Sequence, residues 1–179
     1  MIIDKTKKYV LKLCENSDIR WRYHIVSTVK YAKLLSDRFG ANTEVVELAS
    51  WLHDIASIKG IKIDHHIKGA QLAEELLLKA GCDKKIIKEV VNCILSHAED
   101  ENFVPSNMEQ KIVISADGLS DFDHFDLTSY RFFLLHSPPE KARAMILDKY
   151  ERAFLKIMPE ARDLVLPRYE AIKTLLENE

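Results

Sequence analysis

A chain of 179 residues with 47% hydrophobic and 30% charged side chains suits one domain around a single buried core, and its composition excludes a disordered protein. The 26 Lys and Arg against 28 Asp and Glu give a net charge of −2, with neither sign gathered into the block expected of a duplex nucleic-acid reader, and no apolar run nears the roughly 18 residues of a membrane span. Asp4, Lys5, Lys7, Lys8 and Lys12 interrupt any signal-peptide core, and Cys14, Cys82 and Cys93 lack a pairing motif, so a cytoplasmic protein without a membrane partner is expected.

Only five glycines, and no sustained alternation of β-branched residues, predict an all-α fold. The first helix covers about residues 2–14. The second runs from about Arg22 to Phe39, with Ile25, Val29, Ala32, Leu35 and Phe39 as its stripe and Gly40 as its stop. Asn42 caps a third through about Ala56, where Val45, Ala49, Leu52 and Ala56 share a face. Asp64 caps a fourth that ends before Gly81, and Asp83 a fifth through about Ser96. Ser106 with Glu109 reads as a capping box that opens a sixth helix ending near Gly118. An aromatic segment (Phe122, Phe125, Tyr130, Phe132, Phe133) follows, then a break at Pro138-Pro139 and two amphipathic helices parted near Pro159.

Imidazoles interrupt the core-facing stripes. At 100° per residue, His53 falls about 20° from Val46, His97 about 20° from Val90, and His24 about 20° from Leu35. Asp54 follows a buried-side His, and a carboxylate drawn inward needs a cationic partner. His24, His53-Asp54, His65-His66 and His97 all stand at helix ends that an up-and-down arrangement brings together. Asp117 joins them only if residues 97–106 carry the chain back to the far end before the sixth helix begins. Such a mixed nitrogen and oxygen set suits Mn, Fe, Co, Ni or Zn, with Mg admitted only where carboxylates and waters dominate. His124 and His136 read as surface or loop residues, and Glu99, Asp100 and Glu101 as a solvated acidic turn.

The ordered series of His24, His53-Asp54, His65-His66-Ile67-Lys68-Gly69-Ala70, Ile94-Leu95-Ser96-His97 and Ser115-Ala116-Asp117 resembles the HD superfamily of metal-dependent phosphohydrolases over about residues 20–123. The resemblance implies an all-α, single-domain HD-type bundle over residues 1–179, with added C-terminal helices over about 138–178. It also implies one divalent metal held by His24, His53, Asp54 and Asp117. His65 and His97 then hold a second metal or contact the substrate phosphate, and the second role is the expected one. Catalysis is expected from Asp54, His65 and His97. Substrate contacts are expected from His65, His66, His97, Lys68 and Arg22, with Arg20 nearby.

The activity so implied is hydrolysis of a phosphomonoester or phosphodiester of a small, nucleotide-like metabolite. The competing readings are a regulatory module that binds nucleotide or metal without turnover, and a di-iron oxygenase of the same family. The oligomeric state, including a homo-oligomer, stays open. Three departures from the family's pattern concern phosphate contacts: Ile55-Ala56-Ser57 after the doublet, Ser27 three residues after the first His, and Gly118 after the last Asp.

Overall fold

The computed structural model describes residues 1–98, 102–136 and 138–177, and among these there are helices and no strands. The acidic stretch Glu99, Asp100 and Glu101 lies outside the described residues. Helix α1 spans Ile2–Glu15 and α2 spans Ile19–Phe39. Helix α2 starts three residues earlier than expected, because Asp18 is its cap: the carboxylate accepts from the Arg20 backbone N–H and is clasped by the Arg20 guanidinium. At its other end Gly40 has φ 69°, the left-handed conformation that glycine adopts without penalty.

Helix α3 covers Thr43–Leu52, capped by Asn42 through the backbone N–H groups of Glu44 and Val45. The expected continuation to Ala56 does not occur. The chain breaks at Asp54, where φ is −107° and ψ 19°, and resumes as the single turn α4, Ile55–Ile58. In an unbroken helix the His53 and Asp54 side chains would point about 100° apart; the break lets both face one point.

Helix α5 (His65–Lys79) and α6 (Lys84–Ser96) follow. Asp83 caps α6 as expected, accepting from the Lys85 and Ile86 backbone, but Asp64 does not cap α5 with its side chain: its φ of 50° puts it in the left-handed region that Asp tolerates. Helix α7, Met108–Asp121, begins with a capping box of Asn107 and Gln110, one residue beyond the expected Ser106 and Glu109. Glu109 instead accepts from the Asn42 backbone N–H at 3.1 Å, tying the start of α7 to the start of α3. Both helices therefore run from that end toward the site, which brings Asp117 of α7 to the same end of the bundle as the close of α3.

Helix α7 continues past Gly118, which is helical and buried rather than left-handed. A short 3-10 turn over Phe122–His124 leads to α8 (Phe125–Leu135), then α9 (Pro139–Lys156), a 3-10 stretch over Pro159–Leu164, and α10 (Leu166–Glu177). Helix α7 is the central rod. Ile112, Val113, Ala116 and Leu119 are fully buried between α2, α3, α6 and α9, at roughly 1.5–3 kcal/mol for each large side chain removed from water. Helix α8 is different: none of its residues is buried, and it packs chiefly on α9. No helix among the described residues is long and apolar enough to cross a membrane. The three cysteines are buried and free.

Asp123 ties three parts of the chain together. Its carboxylate accepts from Ser27 (2.6 Å), Lys30 (3.1 Å) and Tyr31 (2.7 Å) of α2 and from Arg168 (2.7 Å) of α10. Ser27, one of the departures, is thus part of this structural tie. Burial opposes the Asp123 charge, but these donors outweigh it and hold its carboxyl well below the usual carboxylate range. A depressed pKa adds stability that is present above the unfolded value near ~4 and is lost as pH falls through the folded one. Asp123→Asn is therefore expected to cost about 1–3 kcal/mol at pH 7, and its melting-temperature deficit should shrink below about pH 4; thermal melts of both proteins across pH 2.5–7 check this.

Candidate metal centre

Four helix ends and the later part of α7 bring the sequence-identified residues to one point. His53 and Asp54 leave α3 at the break, His24 lies in the second turn of α2, His65 opens α5, His97 follows α6 and Asp117 stands one turn before the end of α7. Gly69 makes the approach of α5 feasible, since a Cβ there would lie 3.3 Å from the His53 carbonyl oxygen and 3.6 Å from Ile94.

Each of three imidazoles has its Nδ1 committed. His53 Nδ1 lies 2.9 Å from the Ser50 carbonyl and His97 Nδ1 2.5 Å from the Ile94 carbonyl, so both carry the proton at Nδ1. His24 Nδ1 meets Ser120 Oγ at 2.9 Å, and that hydroxyl already donates to the Asp117 carbonyl, so it accepts from His24. The consequence is that Nε2 of all three presents a lone pair inward. His24 Nε2 and His53 Nε2 lie 3.2 Å apart, and His65 Nε2 and His97 Nε2 3.3 Å apart. The lone pairs of His24 and His53 at that distance repel unless a cation sits between them.

The carboxylates complete two groups. Asp117 Oδ1 is 3.2 Å from His24 Nε2 and 3.6 Å from His53 Nε2. Asp54 Oδ2 is 3.5 Å from each of the same nitrogens, while Oδ1 turns toward His65 Nε2 at 3.9 Å. Among the described residues, the groups able to hold an ion are therefore His24, His53 and Asp117 on one side and Asp54, His65 and His97 on the other. Bonds of about 2.0–2.2 Å to one ion put neighbouring ligand atoms about 2.8–3.6 Å apart, and the first group with Asp54 Oδ2 matches that spacing.

The electrostatics ask for the same cation. Burial opposes a charge on His24, yet Asp117 and Asp54 push its pKa up to about 10, so a proton takes the place that a metal would fill. Burial also resists ionisation of Asp54 and Asp117; the His53 and His24 imidazoles for the first, and Lys156 with the same two imidazoles for the second, nevertheless hold both carboxyls far below their usual range. Burial and the nearby His53 lower His97 to about 4. A neutral His97 at pH 7 is suited to ligating a metal.

The other expected site residues lie apart. His66 is buried edge-on between His65 and Phe103, outside both groups. Lys68 reaches Gln71 on the exposed side of α5, and Arg22 is exposed on α2 and lines neither opening of the centre. Arg20 does line one. The larger opening is a cavity of about 450 Å³ bordered by Arg20, Trp21, Tyr23, Arg131, Phe132 and Lys149, and also by His124, whose ring lies against Tyr23 rather than on an open surface. His136 sits just beyond α8 against Phe132. A second opening of about 320 Å³ on the side of His65 and His97 is bordered by Lys149, Arg152 and Lys156. Sequence reasoning missed Arg131, Lys149, Lys156 and the hydroxyl of Ser120. Lys149 and Lys156 are seven residues apart and share one edge of α9, which from sequence reads as a solvated face.

The HD domain family model matches residues 21–153. The chain belongs to the HD domain family. This HD domain is 31% identical over 113 residues to a Bacillus subtilis protein named "Putative phosphohydrolase YueE", covering 55% of this chain and 64% of that one. It is 29% identical over 132 residues to a tRNA (cytidine(56)-2'-O)-methyltransferase of Picrophilus torridus, covering 68% of this chain and 38% of that one. The chain spans less than two-thirds of the length of the curated relatives it matches. Its fold is that of an HD-superfamily hydrolase from Bacillus thuringiensis, with a TM-score of 0.72 at 22% identity over 98% of this chain and 93% of the other. It is equally that of Bacillus subtilis YpgQ, solved in complex with ADP, with a TM-score of 0.72 at 21% identity over 98% and 92% of the two chains.

The Ser120 hydroxyl holds the His24 ring through its Nδ1. Ser120→Ala should weaken divalent-metal affinity by roughly 10–100-fold while leaving the helical circular dichroism unchanged; equilibrium competition against a metallochromic chelator measures it.

Proposed function

We propose that this HD domain is a metal-dependent phosphohydrolase that cleaves a phosphomonoester or phosphodiester of a small, nucleotide-like metabolite. The observation that carries the reading is Asp54, whose two oxygens face different ligand groups at the floor of a basic cleft. His24, His53, Asp54 and Asp117 hold one divalent ion, and His65 and His97 with Asp54 offer a place for a second. The donor set favours Mn, Fe, Co, Ni or Zn over Mg. An ion bound there supplies Lewis acidity and a water of lowered pKa.

The protein's own groups do the rest. Asp54, held ionised, accepts a hydrogen bond from the attacking water and aims it along the line of the leaving oxygen. Arg20, Arg131 and Lys149 meet the anionic half of the substrate, and Trp21, Tyr23 and Phe132 offer apolar and aromatic surface to the other half. A base with a phosphate group fits that division, and two names among the similar proteins agree with it: a phosphohydrolase, and a structure containing ADP. In this reading the whole chain acts as one domain, since α8 and α9 supply one wall of the cleft.

Elemental analysis of protein purified without chelator should find between one and two transition-metal ions per chain. Asp54→Ala should lose metal and abolish turnover of nucleotide phosphoesters measured with added Mn²⁺ or Co²⁺, with helicity retained. Because imidazoles must be neutral to ligate, metal should be released as pH falls below about 6. Nucleotide binding by the metal-loaded wild type without release of phosphate or nucleoside would sink the hydrolase and favour a regulatory module.

A further inference from the structure

Asp117 uses its two oxygens differently. Oδ1 faces the imidazoles of His24 and His53, whereas Oδ2 receives the Lys156 ammonium at 2.7 Å. Lys156 is the last residue of α9 and stands 39 positions along the chain from Asp117. It borders both openings of the cleft. Two other cations of α9 border an opening: Lys149, paired with Asp121 at 2.7 Å, and Arg152, paired with the exposed Asp148 at 2.8 Å.

The packing that delivers Lys156 is specific to the residue after Asp117. A Cβ on Gly118 would lie 2.6 Å from the Ala153 carbonyl oxygen, 3.1 Å from Ile157 and 3.5 Å from the Lys156 Cβ. The backbone of α9 therefore rests directly on α7, at a distance only glycine permits. Two hydrogen bonds fix the register: Tyr150 OH donates to the Asp121 carbonyl at 3.1 Å, and the Met158 N–H donates to Ser115 Oγ at 3.0 Å. The stem of Lys156 is thus held, while its ammonium stands at the junction of the two openings.

We propose that Lys156 is a catalytic residue, whose ammonium exchanges the Asp117 Oδ2 contact for a phosphoryl oxygen of the substrate, and that Gly118 is what admits it. The proposal rests on the phosphohydrolase reading. Once a cation shares the charge of Asp117, the carboxylate holds Lys156 less strongly, and a phosphate dianion arriving in the cleft is the stronger partner. The alternative is that Lys156 only orients Asp117.

The test uses the full chain loaded with Mn²⁺, titrated calorimetrically with inorganic phosphate. Lys156→Met should weaken phosphate binding by about 10–100-fold, leave the metal content unchanged, and lower kcat/KM for a phosphoester to a similar degree. Lys156→Arg should recover part of the loss, and Lys173→Met, half-buried on α10 and paired with Glu177 away from both openings, should behave as wild type. Gly118→Ala should weaken phosphate binding in the same way by displacing α9, at a lower melting temperature; should it not fold, the Lys156 variants carry the test alone. A Lys156→Met protein that binds phosphate as wild type does, or that loses metal instead, reduces Lys156 to a positioning residue and overturns the proposal, as does a wild type with no affinity for phosphate. Phosphate binding that depends on Lys156 in a protein without phosphoesterase activity keeps the anion contact and refutes the hydrolase reading, so the two failures are distinguishable.

Discussion

The structure depends on a convergence that would be unstable without a positive charge at its centre. His24, His53 and His97 spend their Nδ1 protons on Ser120 and on backbone carbonyls, and so turn lone pairs toward one another and toward Asp54 and Asp117. Burying lone pairs and carboxylates together costs free energy unless a cation compensates them. The helix ends are arranged around that demand. The chain breaks after His53 so that Asp54 can turn inward, Gly69 lets α5 close on the doublet, and α6 ends where His97 is needed.

The C-terminal helices have a different part in the site. They hold no ligand of the candidate centre, yet they supply the positive charge around it, through Arg131 on α8 and Lys149 and Lys156 on α9. Helix α9 is fixed by the close approach at Gly118 and by Tyr150, whose ring packs between Phe122 and Phe125. Helix α8 has no buried residue and exposes Tyr130, Phe133 and Leu134. One wall of the cleft is therefore anchored and the other is held mainly by α9, which suits a site whose floor must keep its geometry while its rim meets a ligand. Asp123 joins α2 to α10 through four donors and so braces the helix that carries His24.

Much of this was legible in the order of residues. Apolar spacing at helical period, few glycines and recognisable caps at Asn42 and Asp83 define the helices, because amphipathic helices and local capping are encoded within a few residues of themselves. The ligand-type residues were legible for a related reason: an imidazole or carboxylate on a stripe that must face the core has few roles open to it. Errors fell where a local rule competed with a tertiary demand. Ser106 and Asn107 can both begin a helix, and the contact of Glu109 with Asn42 accompanies the choice of Asn107. Gly118 reads as a helix stop from sequence, but it is a contact point for α9, and the helix continues.

By itself the sequence determined an all-helical chain, the helices that compose it, and the set of histidines and aspartates at their ends, since each is a property of neighbouring residues or of a helical period. Only the tertiary structure decided how those residues divide. It put the two oxygens of Asp54 toward different groups, made His97 neutral through burial, left Arg22 and Lys68 outside the cleft, and brought Lys156 across 39 residues to Asp117. The physical reason is that side-chain direction, burial and charge pairing depend on which helix packs on which, and such contacts join residues far apart in the chain whose spacing carries no local signal.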